Sequence, residues 1–127
     1  MLADLDTIAF VPAADLDRAR VFYEGVLGLT VLRMDSFAIV IGQGSNCIRI
    51  VAAGEFTPQR FTILGWETPA IEVTVQVLGA RGVTFLRFDG MGQDDLGIWT
   101  APSGDQVAWF NDPDGNVLSL SQHNRVD

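Results

Sequence analysis

Val107-Ala-Trp109-Phe110-Asn111-Asp112-Pro113-Asp114-Gly115-Asn116-Val117-Leu118-Ser119-Leu120-Ser121-Gln122 reads as two alternating strands around one tight turn. Asp, Pro and Gly at its first, second and fourth positions suit a type I turn followed by a left-handed residue, because proline presets φ and glycine accepts φ above zero. Pairing Asp112 with Asn116 across that turn predicts Trp109 opposite Ser119 and Phe110 opposite Leu118. One face then holds Ala108, Phe110, Leu118 and Leu120 and reads as core. The other holds Val107, Trp109, Val117, Ser119 and Ser121 and reads as the wall of a wetter space. Just upstream, Ala101-Pro102-Ser103-Gly104 repeats the turn pattern, so Ala101 should pair with Asp105 and set Trp99 opposite Val107, next to Trp109.

The rest of the chain reads as two halves of one plan. Residues 7–11 suit a strand that Pro12 stops, and Asp15 is a good N-cap for a helix. Leu16, Ala19, Phe22, Tyr23, Val26 and Leu27 recur at helical spacing until Gly28, placed where a left-handed C-cap is wanted. Strands are predicted over 29–34, 37–41 and 46–52, with a turn at Gly42-Gln-Gly44-Ser45. Residues 53–60 are a polar connector. Then 61–68 is strand-like, Pro69 opens a second helix that runs to about Ala80, and Gly82 ends it. Gly28-Leu-Thr30-Val-Leu32-Arg33-Met-Asp35 matches Gly82-Val-Thr84-Phe-Leu86-Arg87-Phe-Asp89 with five identities, which marks an internal duplication and predicts the same strand again. Strands over 96–101, 106–110 and 117–122 complete the second half. Each half is thus strand, helix, three strands.

At 127 residues the chain fits one domain, with module one at about 5–53 and module two at about 61–123. Asp and Glu outnumber Arg 16 to 8 for a net charge of -8, so nucleic acid and anionic membrane, which need a basic footprint, are not expected partners. There is no lysine, which excludes a Schiff-base mechanism through that residue. A single cysteine, Cys47, cannot form an internal disulfide, and a cytoplasmic protein is expected. No apolar run approaches the length of a membrane span.

The duplicated order, with Asp15-Leu-Asp-Arg-Ala-Arg-Val-Phe22-Tyr23-Glu-Gly-Val-Leu27-Gly28-Leu29 and Phe110-Asn-Asp112-Pro113-Asp114-Gly115-Asn116, closely resembles the vicinal oxygen chelate superfamily. That group holds glyoxalase I, extradiol dioxygenases, fosfomycin-resistance enzymes and bleomycin-binding resistance proteins. The resemblance implies an α+β fold: tandem βαβββ modules forming a curved mixed sheet with a concave cup, helices on the convex side, and commonly a homodimer. In metal-dependent members the cup holds a divalent cation through four side chains. By distance from the shared motifs those places fall at Ile8, approximately Arg49, Ile63 and Ser119. Two are aliphatic, one is cationic and one is a hydroxyl, so no metal and no cofactor is expected.

The cup lining expected on this basis is Ile8, Phe10, Cys47, Arg49, Ile63, Glu67, Trp99, Trp109, Ser119 and Ser121. Cys47 is either a reactive thiol or a buried inert one, and Arg49 with Glu67 either lines the cup or forms a salt bridge. His123, the only histidine, shares parity with Ser119 and Ser121; it reads as a site residue or as an exposed terminal one, and with Glu67 alone it falls short of a two-His-one-carboxylate set. Trp66 falls on the opposite parity and should pack under a helix. The function expected is metal-independent binding of a small molecule, with sequestration of an antibiotic or metabolite as its use. The rival readings are a metal-dependent lyase, isomerase or dioxygenase with atypical ligands, metal-free chemistry with Glu67 as base and Arg49 as the stabiliser of negative charge, and an interaction module with no ligand.

Overall fold

The computed structural model describes residues 1–43 and 46–124, so the turn expected at Gly44 and Ser45 lies outside the described residues. The chain forms two compact units, Met1–Thr57 and Pro58–Asp127, each built on a four-stranded mixed sheet. The class is α+β, as the sequence implied.

In the first unit the elements are β1 (Ile8–Ala13), α1 (Leu16–Arg20) continued by a π-helical stretch (Val21–Val26), β2 (Val31–Met34), β3 (Ala38–Gln43) and β4 (Asn46–Ala52). The sheet order is β1-β4-β3-β2, with β1 parallel to β4 and the other pairs antiparallel. The Asp15 carboxylate accepts from the Arg18 N–H and starts α1. The helix ends at Gly28 with φ at 75°, where the Gly28 and Leu29 N–H groups donate to the carbonyls of Glu24 and Tyr23. A uniform α-helix to Leu27 was expected; instead the Leu27 N–H reaches back five residues to the Phe22 carbonyl, a widened turn next to Gly25, a weak helix former. The face of the sheet toward this helix carries the core, with Val11, Ala13, Ile39, Ile41, Ile50 and Tyr23 all at 1% exposure or less.

Pro12 does not stop β1. The strand runs through it to Ala13, in register with Val51 and Ala52 of β4. Since β1 is an edge strand, a missing N–H there costs no ladder bond.

The second unit repeats the plan with β5 (Thr62–Glu67), α2 (Ile71–Ala80), β6 (Trp99–Thr100), β7 (Gln106–Asn111) and β8 (Val117–Gln122), in the order β5-β8-β7-β6. Two strand expectations fail here for one reason. The duplicated segment 82–89 forms no strand, only a bridge from Phe85 to Phe110 and a bond from the Leu86 N–H to the Trp109 carbonyl. The strand expected over 96–101 shrinks to Trp99–Thr100. Between them the Gln93 side chain accepts from the Phe88 N–H and donates to the carbonyls of Leu86 and Gly97. The Asp94 carboxylate takes the N–H groups of Leu96 and Ile98. These side chains occupy the backbone groups that a ladder would have used.

Candidate functional site

The Asp112–Asn116 turn forms with the expected register. The Asp112 N–H donates to the Asn116 carbonyl at 3.0 Å, the Gly115 N–H returns to the Asp112 carbonyl at 3.1 Å, and Gly115 has φ at 86°. Asp112 and Asn116 are both buried, and the aspartate secures the turn from within: one oxygen accepts from the N–H groups of Asp114 and Asn116, the other from the Asn116 side-chain amide. Trp109 stands opposite Ser119, Phe110 opposite Leu118, and Val107 opposite Ser121. Ala108, Phe110, Leu118 and Leu120 are at most 3% exposed, so the core face is the one the pattern indicates, but Val117, read as part of the wetter face, is buried too, between its ladder partners Thr62 and Asn111. Trp66 lies on it, stacked on Phe110 at 6.5 Å.

The opposite face of this sheet brings together most of the second-unit residues expected to line a site. The upstream turn closes as read, with the Ala101 N–H on the Asp105 carbonyl and Trp99 opposite Val107. The rings of Trp99 and Trp109 lie 6.1 Å apart, and Phe88 meets Trp109 in a T-shaped contact at 5.5 Å. Beside the indoles the floor is small and polar. Gly65 pairs with Ser119 and Glu67 with Ser121. A Cβ at Gly65 would stand 2.7 Å from the Ser119 Oγ, so glycine is what leaves the serine its place. Ile63 falls at the register shift between Thr62 and Leu64 and has no paired position in the ladder.

At the far end of β8, Nδ1 of His123 lies 3.2 Å from the Glu67 carboxylate, both side chains nearly half exposed. They border a cleft of about 650 Å3 with Gln106, Gln122 and Asn124. Its walls are fixed by long-range bonds: the Gln122 side chain caps the Ile71 N–H at the start of α2, and Asn124 bonds Asp105 and Ser103 of the upstream turn. The His123 pairing and the Gln122 cap join residues more than fifty positions apart and leave no mark on local periodicity; shared strand parity with Glu67 was the single clue to the first.

In the first unit, Ile8, Phe10, Cys47 and Arg49 share the face away from the core. Ile8 pairs with Cys47 and Phe10 with Arg49, and Phe10 is 64% exposed. Arg33, not singled out in the sequence, joins them on the same face through Val40. Asp35, in the turn between β2 and β3, has its carboxyl held below the usual range. The N–H groups of Phe37 and Ala38 donate to it, and Arg33 and Arg49 add a smaller attraction.

The four positions at which the resemblance would place metal donors do not suit a divalent cation. Ile8 and Arg49 in one unit and Ile63 and Ser119 in the other offer two aliphatic chains, a guanidinium and a hydroxyl, where imidazole, carboxylate or thiolate is needed. Among the described residues no three of His, Cys, Asp or Glu cluster as a metal site.

A family model described as the Glyoxalase/Bleomycin resistance protein/Dioxygenase superfamily matches residues 5–120. No curated protein matches the chain. Among solved structures it is similar to a member of the same superfamily from Sphaerobacter thermophilus, with a TM-score of 0.73 and 21% identity over 97% of this chain and 100% of that one. It is similar to a lactoylglutathione lyase from Agrobacterium tumefaciens at 0.73 and 15%, over 94% and 93% of the two chains. An integron cassette protein from the mobile metagenome of V. cholerae matches at 0.64 and 23%, over 94% of each chain. At such identities the likeness establishes the fold.

Proposed function

Because the chain belongs to the glyoxalase/bleomycin resistance protein/dioxygenase superfamily, we propose that it binds a small, partly aromatic molecule without a metal ion, with sequestration of an antibiotic or a metabolite as its use. One observation carries this reading: an indole pair 6.1 Å apart flanks a floor of Gly65, Ser119 and Ser121 on the open face of the second sheet. A flat apolar wall with a few hydroxyls beside it suits an aromatic ring with a polar edge, the usual composition of a small-molecule site. Trp99, Trp109, Ser119, Ser121 and Glu67 are the residues assigned to it, with Phe88 added as the ring that holds Trp109 in place.

The names of the structural neighbours do not select an activity, since they range from a lyase to an integron cassette protein. The test is a titration with 2-naphthol, followed on the indole N–H resonances of the three tryptophans. The Trp99 and Trp109 signals should move and that of Trp66 should not. Trp109→Ala should weaken binding about tenfold, the scale of one lost aromatic pair. An unchanged affinity in that variant would remove Trp109 from the site.

A second reading is favoured by the Glu67–His123 pair at 3.2 Å. A carboxylate on Nδ1 directs Nε2 outward as a proton acceptor, so metal-free proton transfer beside the same face is the enzymatic alternative. If substrate turnover is found, Glu67→Gln should lower it and change its pH profile; a profile identical to the parent's would exclude the pair.

A further inference from the structure

The open face of the first sheet has a depression along β3. Alternate residues of that strand on this face are Ala38, Val40 and Gly42, none larger than valine. The strands on either side carry long side chains. Arg33 of β2 and Arg49 of β4 both pair with Val40, so the two guanidinium stems rise from opposite walls about 10 Å apart, twice the spacing of neighbouring strands. Phe10 extends the Arg49 wall through its pairing with that residue. One end is closed by Leu32, which leans over Gly42 so closely that a Cβ there would meet its Cδ1 at 2.5 Å. The other end opens at the Asp35 turn.

Arg33 and Arg49 add only a secondary attraction to the Asp35 carboxyl. Among the described residues neither Arg33 nor Arg49 is held by a hydrogen bond or an ion pair, and the nearby Asp35 carboxylate is engaged by the Phe37 and Ala38 N–H groups. The duplicated segment supplies an internal comparison. Arg87 occupies the place of Arg33 in the second copy, and its guanidinium donates to the carbonyls of Asp94 and Asp95. The guanidinium that backbone carbonyls hold in one unit has no such bond among the described residues of the other, where it stands beside the buried, apolar Val40. A guanidinium fork matches carboxylate and phosphate oxygens, and an apolar floor strengthens that attraction by displacing water. A polyanion is disfavoured by the net charge of -8, which leaves a small anion as the better match.

We infer that the depression along β3 binds a small amphipathic anion, a carboxylate or phosphate on an aromatic or acyl body, with Arg33 and Arg49 gripping the charged group from opposite walls. This goes beyond the reading of the indole face of the second unit by adding a charge requirement that the indoles do not have.

The experiment is an amide-resolved NMR titration with 2-naphthoate and 2-naphthyl phosphate, with 2-naphthalenemethanol as the neutral counterpart. The Val40 and Gly42 amides should shift saturably with one or both anions, and the better anion identifies the head group. The alcohol should bind there at least about tenfold more weakly, and Arg33→Gln and Arg49→Gln should each weaken the anion about tenfold or more, as loss of a charge-assisted bond predicts. Arg18→Gln, on the helix side of the sheet, should leave the affinity unchanged. Shifts confined to the indole face, equal binding of anion and alcohol, or indifference to both arginine substitutions would overturn the inference while leaving the indole site standing. Sedimentation of the same samples covers a second copy as the occupant: a dimer that either substitution dissolves, with no saturable shift at Val40, would also overturn it. The comparison of anion with alcohol uses the unaltered protein and so does not depend on how the variants fold.

Discussion

Single residues decide the geometry of both open faces. Asp112 is the clearest case, because one buried carboxylate takes three donors and fixes the register that sets Trp109 against Ser119. Asp112→Ala should lower unfolding stability by about 2–4 kcal/mol in urea denaturation, since it orphans buried donors rather than merely losing a contact. A loss below the scatter of the measurement would mean that Pro113 and Gly115 hold the turn without it. Asp35 makes the corresponding contribution between β2 and β3, and its lowered pKa ties it to pH. A carboxyl with a depressed folded-state pKa adds stability above its unfolded value, near ~4, and loses it as the pH falls through the folded value. Asp35→Asn should therefore be less stable than the parent at pH 6, and the gap should close on acidification toward pH 2. A gap that stays constant with pH would show that the charge is irrelevant there. At this scale the sequence was most readable where a turn demanded particular residues, as at Pro113, Gly115 and Gly104. It says little where partners lie far apart: parity alone hints at Glu67 with His123, and nothing marks Gln122 with Ile71.

Elements followed their local signals until tertiary hydrogen bonding intervened. Asp15 and Gly28 bound the first helix as their types predict, and the alternation of β7 and β8 sorted core from open face except at Val117, which has open-face parity but is buried. The segment 82–89 departs from its own duplicate although five of eight residues are the same. The difference lies downstream. After Asp35 the chain turns at once into β3, whereas after Asp89 a loop rich in positive-φ glycines brings Gln93 back onto Leu86 and Phe88. A repeat can show that two segments share an origin, but not which hydrogen-bond partners the following loop will supply. Gln93→Ala should speed hydrogen exchange at the Phe88 amide at least about tenfold, as opening of one local bonded unit would. Amides shared by β7 and β8 should be unaffected. Because Phe88 braces Trp109, the same variant should also weaken 2-naphthol binding, though by less than Trp109→Ala does. An unchanged Phe88 exchange rate would mean that the loop is held by Arg87 alone.

For the whole molecule, the duplicated strand-helix-three-strand order was enough to indicate the superfamily, and the family match over residues 5–120 agrees with it. Function is less legible, because the same turns, caps and core positions serve every chemistry the fold carries. What distinguishes this chain is chemical. Aliphatic, cationic and hydroxyl groups stand where metal donors would be expected, and one sheet carries indoles while the other carries Arg33 and Arg49 on its open face. The acidic surplus elsewhere makes those two arginines stand out as a place for an anion. The claim that joins these features is binding without a metal. Its most direct test is elemental analysis of protein purified without chelator, combined with calorimetric titration of 2-naphthol before and after dialysis against EDTA. The account predicts no stoichiometric transition metal and the same affinity in both titrations; one bound Ni, Zn, Mn or Fe per chain, with affinity lost to EDTA and restored by that metal, would contradict it.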